Sequence, residues 1–265
     1  MAIILAGGAG TRLGCLTNHR AKAVLPVGGT HRLIDISLSN LAHSHISNIG
    51  IVEQYLPEPL NAYVAGGRPW DLDRNHGGLQ ILPPFEGAKG EGFSRGNADA
   101  LSRQTDFIRE RDPQFVLVMS ADQIYTMNYL DVVTTHVDAN ADLTIVTTEL
   151  DEDVSRYGVV QADEHARVKA FDYKPEEPIG NVVTTEVFLY RADALLEAME
   201  ILASKGDLGD YGDTLVPWFV ENRKVDEGAI VSRSLLSNGT TIGGEVDHRE
   251  KFDAASMLPD GVTAG

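Results

Sequence analysis

A strand that runs without interruption into a glycine-rich turn limits this chain more than any other feature. Residues Ala2 to Leu13 read AIILAGGAGTRL, and Lys22 follows ten positions after Arg12. The apolar start demands a buried strand, and the small residues behind it let the backbone come close to a ligand. Successive N–H groups from Ala6 to Gly10 then form a concavity suited to an anion. With Arg12 and Lys22 behind it to neutralise phosphate oxygens, the loop reads as a polyphosphate grip.

Two familiar phosphate loops fail on spacing. A dinucleotide fingerprint beginning at Gly8 and Gly10 needs a small third residue where Leu13 stands, and leucine blocks the close strand–helix packing which that residue permits. No glycine-lysine-serine/threonine follows, which excludes a Walker A loop. Taken alone, a loop of this kind also fits a purely structural turn between strand and helix.

Short apolar runs recur along the chain at Ile3 to Leu5, Ile49 to Val52, Phe115 to Met119, Leu143 to Thr147 and Val187 to Tyr190. Between them, Ala98 to Arg109 and Ala192 to Ala203 carry helix-spaced apolar residues. This rhythm predicts an α/β fold with a mostly parallel sheet flanked by helices. Such sheets bind ligands at the carboxyl ends of their strands, and the glycine loop, Gln54 and Asp122 each lie just past an apolar run. The glycine- and proline-rich stretch Gly66 to Gly96 shows little periodicity and reads as a functional loop or lid.

The segment LAGGAGTRLGCLTNHRAKAVLP (Leu5 to Pro26) resembles the signature of sugar-1-phosphate nucleotidyltransferases. RLIDISLSNLAHSHI (Arg32 to Ile46), EQYLPEPL (Glu53 to Leu60), RGNADAL (Arg95 to Leu101), SADQIYTMNY (Ser120 to Tyr129) and DYKPEEP (Asp172 to Pro178) follow in the order of the ADP-glucose pyrophosphorylase family. Several ordered motifs are far more specific than any one of them. The resemblance spans residues 1 to 224. It implies a Rossmann-like, GT-A-like nucleotidyltransferase fold, with a short remnant of a left-handed β-helix behind it. It also implies transfer of a nucleotidyl group from ATP to glucose 1-phosphate, giving ADP-glucose and pyrophosphate for glycogen or a related α-glucan.

In such chemistry the sugar phosphate is itself the nucleophile, so the protein supplies alignment and charge neutralisation, usually with a divalent metal. Asp122 follows the run FVLVM and stands at a strand end, where it serves either as a metal ligand or as a cap on the turn. By resemblance it is the catalytic, magnesium-binding aspartate, with Arg12 and Lys22 as its catalytic partners. The family's nucleotide side falls on Leu5, Ala6, Gly7, Gly8, Gly10, Thr11, Gln54, Gly96 and Asp99. Asn97 is the expected N-cap of the helix after Gly96, and Asp99 also suits the dipole of that helix's first turn. The sugar side falls on Tyr157, Gly158, Lys174 and Thr184, with Lys174 on the sugar phosphate and Thr184 keeping the hydroxyl of the family's serine.

Several positions depart from the family pattern. Ala121 and Gln123 flank Asp122 where glycine and histidine are usual, Ala23 replaces a proline, and Tyr173 replaces the glutamate before Lys174. The tryptophan-arginine-aspartate-glycine segment that carries the family's second metal-binding aspartate has no counterpart after Trp218. Asp210 or Asp213 is a candidate to replace it. Ile230, Leu236 and Ile242 recur every six residues, with Gly239 and Gly243 at turns, which resembles the opening of the family's β-helix. The expected organisation is a catalytic unit over 1–225, a β-helix-like fragment over 226–247 and a tail over 248–265. The alternative to an active enzyme is a shortened, non-catalytic relative that binds nucleotide or sugar phosphate as a regulatory subunit. The resemblance also implies a homo-oligomer, a tetramer.

A formal charge of −17 argues against nucleic acid or an anionic membrane as partner, since both require clustered cations. Cys15, the single cysteine, excludes an intrachain disulfide and is expected as a packed small residue in a reducing compartment. There is no long apolar span, and the first residues enter a strand without a basic leader. A cytoplasmic protein with no membrane anchor is therefore expected. The histidines show no metal spacing, and His43, His45 and His76 are expected at the surface or in polar networks.

Overall fold

The computed structural model describes residues 1–8, 10–83 and 94–227. In chain order, β1 (Ala2–Leu5) leads to β2 (Pro26–Val27), β3 (His31–Arg32), α1 (Leu33–His43), β4 (Asn48–Val52), α2 (Pro57–Val64) and β5 (Gly78–Leu82). Then come α3 (Asn97–Ser102), α4 (Thr105–Arg111), β6 (Phe115–Ser120), α5 (Tyr129–Ala139), β7 (Leu143–Glu149), β8 (Gly158–Ala162) and β9 (Val168–Tyr173). The described part ends with β10 (Val182–Arg191), α6 (Ala192–Lys205), α7 (Val216–Asn222) and β11 (Val225–Glu227).

The main sheet has the order β11-β7-β10-β6-β1-β4-β5, with β8 and β9 attached through β10. Along that path all strands run the same way except β10, which is antiparallel to both β6 and β7. The mostly parallel sheet read from the sequence is therefore present, with one reversed strand inside it. Asp226 and Glu227 pair with Thr144 and Ile145, so the sheet continues past the expected boundary at 225. The hexad positions Ile230, Leu236 and Ile242 lie outside the described residues.

Alternate side chains of the strands bury on opposite faces, which is why their runs read as continuously apolar. Ile3, Val118 and Phe188 join Leu195, Met199 and Leu202 of α6 on one face. Ile4, Met119 and Val187 join Ile34, Leu38 and Leu41 of α1 on the other. This sandwich fixes the carboxyl ends of β1, β4 and β6 at one edge, since Leu5 pairs with both Val52 and Ser120.

Three local expectations need correction. The stretch Gly66 to Gly96 contains an edge strand, β5, whose short run GLQIL pairs in parallel with β4. The helix pattern from Ala98 to Arg109 is split into α3 and α4 at Arg103 and Gln104. Cys15 is exposed and not packed, in the 3-10 turn Thr11–Thr17 that is kinked at Gly14 (φ 54°, ψ −125°). His43, His45 and His76 are exposed as expected. No helix among the described residues is long and apolar enough to cross a membrane.

Among the described residues the buried histidine is His136 on α5, which is 1% exposed. Its Nδ1 lies 2.8 Å from the Thr144 hydroxyl, and Phe115 meets its ring edge-on at 5.0 Å. Burial pushes its pKa down to about 4, against the opposing pull of Asp142. The unfolded chain takes up this proton near pH 6.5 and the folded chain only near pH 4. The stability that neutral His136 contributes is thus complete above pH 6.5 and declines as pH falls through that window. Urea midpoints measured across it should fall less steeply for His136→Asn than for the parent; identical slopes would contradict the assignment.

Candidate active site

At the carboxyl edge of β1, β4 and β6 lies a cavity of about 750 Å³, within the range typical of small-molecule sites. Of the residues expected from the sequence, Leu5, Ala6, Gly7, Gly8, Lys22, Gln54, Gly96 and Asp122 line it. Ser120, Arg95, Asn97, Asp210 and Tyr211 join them. Gly10, Asp99, Tyr157, Gly158, Lys174 and Thr184 do not reach the wall. The side chains of Thr11 and Arg12 lie outside the described residues.

The glycine loop is held by its flanks. Ala6 N–H donates to the Val52 carbonyl at 2.8 Å, continuing the sheet by one bond beyond β1. Gly10 adopts φ +62°, and a methyl there would meet Thr17 Cγ2 at 2.9 Å and Lys22 Cβ at 3.4 Å. Only glycine allows the turn to close this tightly on Lys22. The Thr17 hydroxyl locks it by donating to the Gly10 carbonyl at 3.1 Å. Around Gly8, by contrast, there is open space within 4 Å, where a ligand can approach the backbone.

Across the cavity, the Lys22 ammonium ion-pairs with the Asp122 carboxylate, whose second oxygen accepts from the Ser120 hydroxyl. The side chains are 37% and 19% exposed, so this pair faces the opening and is not sealed in the core. Asp122 is thus placed as its position after β6 predicts, beyond the last paired residue of the strand.

On the other wall, the Gln54 amide donates to the Ser94 carbonyl at 2.9 Å, and its oxygen accepts from the Ser94 hydroxyl. Gly96, not Asn97, is the N-cap of α3. The reason is a clamp from a distant loop: Ala98 and Asp99 N–H donate to the Gly209 carbonyl at 3.0 and 3.3 Å. The Asn97 side-chain oxygen reaches instead to Tyr211 N–H at 3.4 Å. Asp99 points away from the cavity, accepting from Arg95 N–H at 2.9 Å and pairing with Arg103 at 3.2 Å. It stands in the first turn of α3, where a carboxylate suits the helix dipole.

The expected sugar-side residues form a neighbouring cluster. Lys174 N–H donates to the Tyr157 carbonyl at 2.9 Å, and Gly158 packs against Phe171 and Thr184. Lys174 Nζ does not enter the cavity; it donates to the Tyr173 hydroxyl at 2.6 Å and lies 4.0 Å over that ring. Tyr173 in turn donates to Asp210 at 3.3 Å, so Lys174 meets the cavity through one intervening side chain. The Thr184 hydroxyl is buried and accepts from Glu186 N–H at 3.1 Å.

Two residues escaped the sequence reading. Glu186 projects from β10, where burial and then the Asp122 carboxylate raise its carboxyl above the usual range, opposed by Tyr211, Ser120 and Lys22. Tyr211 is 3% exposed, and the Glu186 carboxyl is the partner its hydroxyl faces. A signal for Glu186 was present: it is the one charged residue inside the otherwise uncharged run VVTTEVFLY. Among the described residues no group of three or more His, Cys, Asp and Glu stands together as a metal cage.

A glycine loop and a lysine–aspartate pair at the carboxyl ends of adjacent parallel strands have the layout of a phosphate-handling α/β protein. The chain belongs to the nucleotidyl transferase family, whose profile matches residues 1–233. Among curated proteins it is 37% identical over 226 residues to the glucose-1-phosphate adenylyltransferase of Clostridium acetobutylicum, covering 84% of this chain and 60% of that one. The enzyme of the same name from Clostridium botulinum (strain Eklund 17B / Type B) is 39% identical over 219 residues, covering 82% and 57%. That of Thermotoga neapolitana is 38% identical over 226 residues, covering 84% and 53%. The chain therefore spans little more than half the length of these relatives. Its fold also matches a crystal structure described as a glucose-1-phosphate thymidylyltransferase from Bacillus anthracis in complex with a sucrose, with a TM-score of 0.71 at 20% identity over 86% of each chain.

Proposed function

We propose that this chain transfers an adenylyl group from ATP to glucose 1-phosphate, giving ADP-glucose and pyrophosphate for α-glucan synthesis. The observation that carries the reading is the Lys22–Asp122 pair, which faces a cavity whose opposite rim is the glycine loop. In this reading residues 1–225 are the catalytic unit, and Gln54 and Gly96 border the base.

The reaction needs no nucleophile from the protein. An oxygen of the sugar phosphate attacks the α-phosphorus, the bond to the bridging oxygen of pyrophosphate breaks, and the electron pair leaves with pyrophosphate. The loop amides around Gly8 hold the triphosphate, because the backbone there is open to approach. Lys22 shares its charge between Asp122 and the phosphate oxygens. Lys174 reaches the sugar phosphate by leaving the Tyr173 hydroxyl, a move that its exposed position permits.

The donors present suit magnesium, a hard cation that takes one or two carboxylates and leaves its other positions to water and phosphate. Asp122 lines the cavity with its carboxylate held by Lys22 and Ser120, and it is the residue that would hold the ion. When bound, the ion would withdraw negative charge from the triphosphate oxygens.

Pyrophosphate release from glucose 1-phosphate with ATP, UTP or dTTP tests the reading. It requires turnover with ATP well above that with the other two. Equal or greater turnover with UTP or dTTP would move the chain to another base, and none with any triphosphate would remove the activity.

A further inference from the structure

Lys174 leaves β9 with its backbone held and its side chain able to move. Its φ of 51° lies in the left-handed region, and its N–H donates to the Tyr157 carbonyl at 2.9 Å. The residue is exposed, yet its ammonium is engaged: Nζ donates to the Tyr173 hydroxyl at 2.6 Å and lies 4.0 Å from the centre of that ring.

Tyr173 is anchored at three points. As the last residue of β9 it pairs with Gly158 of β8. Its ring lies on the bare backbone of Gly212, where a methyl would collide with Tyr173 Cγ, Cδ2 and Cε2. Its hydroxyl donates to Asp210 at 3.3 Å, and the other Asp210 oxygen accepts from Asn97 N–H at 3.4 Å. With its proton given to Asp210, the hydroxyl offers a lone pair to the ammonium, and the two hydrogen bonds polarise each other. Tyr173 is therefore the fixed half of the contact and Lys174 the moving half. Neither side chain lines the cavity, so an ammonium that serves a phosphate there has to break this contact first.

We infer that Tyr173 is a positioning residue that holds Lys174 away from the cavity and thereby sets the affinity for the sugar phosphate. The inference rests on the reading of Lys174 as the sugar-phosphate cation. A ligand gains the ammonium only by displacing a charge-assisted hydrogen bond and a cation–π contact, and the charge of a phosphate offsets that loss. Apparent affinity falls with the fraction of chains in which Lys174 is free.

Tyr173→Phe keeps the ring on Gly212 and removes only the hydroxyl. Calorimetric titration of the full chain with glucose 1-phosphate alone should show about three- to tenfold tighter binding in this variant, the weight of one exposed hydrogen bond to a charged group. In steady state the change should fall on KM for glucose 1-phosphate and not on KM for ATP. In the Lys174→Met background the same substitution should bring no gain. The parent alone supplies a check that no folding defect can disturb: competitive acetylation read by mass spectrometry should label Lys174 more slowly than Lys205, an exposed lysine at the end of α6. Equal or weaker binding in Tyr173→Phe, a gain that survives Lys174→Met, or equal labelling of the two lysines would each overturn the inference. Tighter glucose 1-phosphate binding in Tyr173→Phe by a chain that makes no ADP-glucose would leave the restraint standing and refute the proposed reaction. Turnover with an unchanged KM in Tyr173→Phe would do the reverse.

Discussion

Asp122→Asn should lower turnover by about 10²- to 10³-fold while leaving the melting temperature close to that of the parent. The loss follows from electrostatics: an amide neither balances Lys22 nor offers an anionic ligand to a cation, and charge neutralisation is the main work of such a site. The fold should tolerate the change because the ion pair faces the cavity, and exposed pairs contribute about 1 kcal/mol or less. Ser120 can still donate to the amide oxygen. Steady-state rates and thermal melts on the same preparations would check both halves; a variant that keeps more than a tenth of the parent rate would remove Asp122 from the centre of the account.

Gly96→Ala should be the most destabilising single change at the rim. Its φ is extended, so the backbone conformation is not the obstacle. The obstacle is space: a methyl would lie 2.4 Å from the carbonyl carbon and oxygen of Gly209 and 2.7 Å from Asp210 N. These are backbone atoms that cannot swing aside, and Gly209 already accepts the first amides of α3. Pushing them apart should cost about 2–3 kcal/mol through overpacking and lost hydrogen bonds. It should also weaken ATP binding, since Asn97 and Asp210 move with the clamp. Gly8→Ala is the contrasting case. With nothing within 4 Å of the added methyl, its urea midpoint should match the parent while ATP affinity falls. Equal midpoints for Gly96→Ala and Gly8→Ala would contradict the clamp.

The parts of the fold that were legible in the sequence are those buried on both sides. Ile3 to Leu5, Ile49 to Val52 and Phe115 to Met119 are strands because continuous apolar runs must sit between two layers of helices. An apolar run carries no direction, which is why the reversal of β10 could not be read from Val187 to Tyr190. The edge strand β5 hid among glycines because GLQIL is short and only partly buried.

The candidate site divides in the same way. The glycine loop, Gln54 and Asp122 follow strand ends directly, so sequence position fixes where they converge, and Lys22 joins them through the turn at Gly10 that closes on it. Asp99 and Lys174 are turned by side-chain pairings that position alone does not announce: Asp99 pairs with Arg103 one helical turn on, and Lys174 rests on Tyr173, itself tied to the distant Asp210. Glu186 depends on a bulge, which no apolar pattern announces, although a lone carboxylate in a core strand is a visible anomaly.

Direct attack by the sugar phosphate, with no protein nucleophile, is the central claim. The configuration at the α-phosphorus of ADP-glucose, made with magnesium from glucose 1-phosphate and one diastereomer of ATP carrying sulphur on that phosphorus, tests it most directly. The account predicts inversion, the mark of a single in-line displacement. Retention, the mark of two displacements through an adenylated protein side chain, would contradict it.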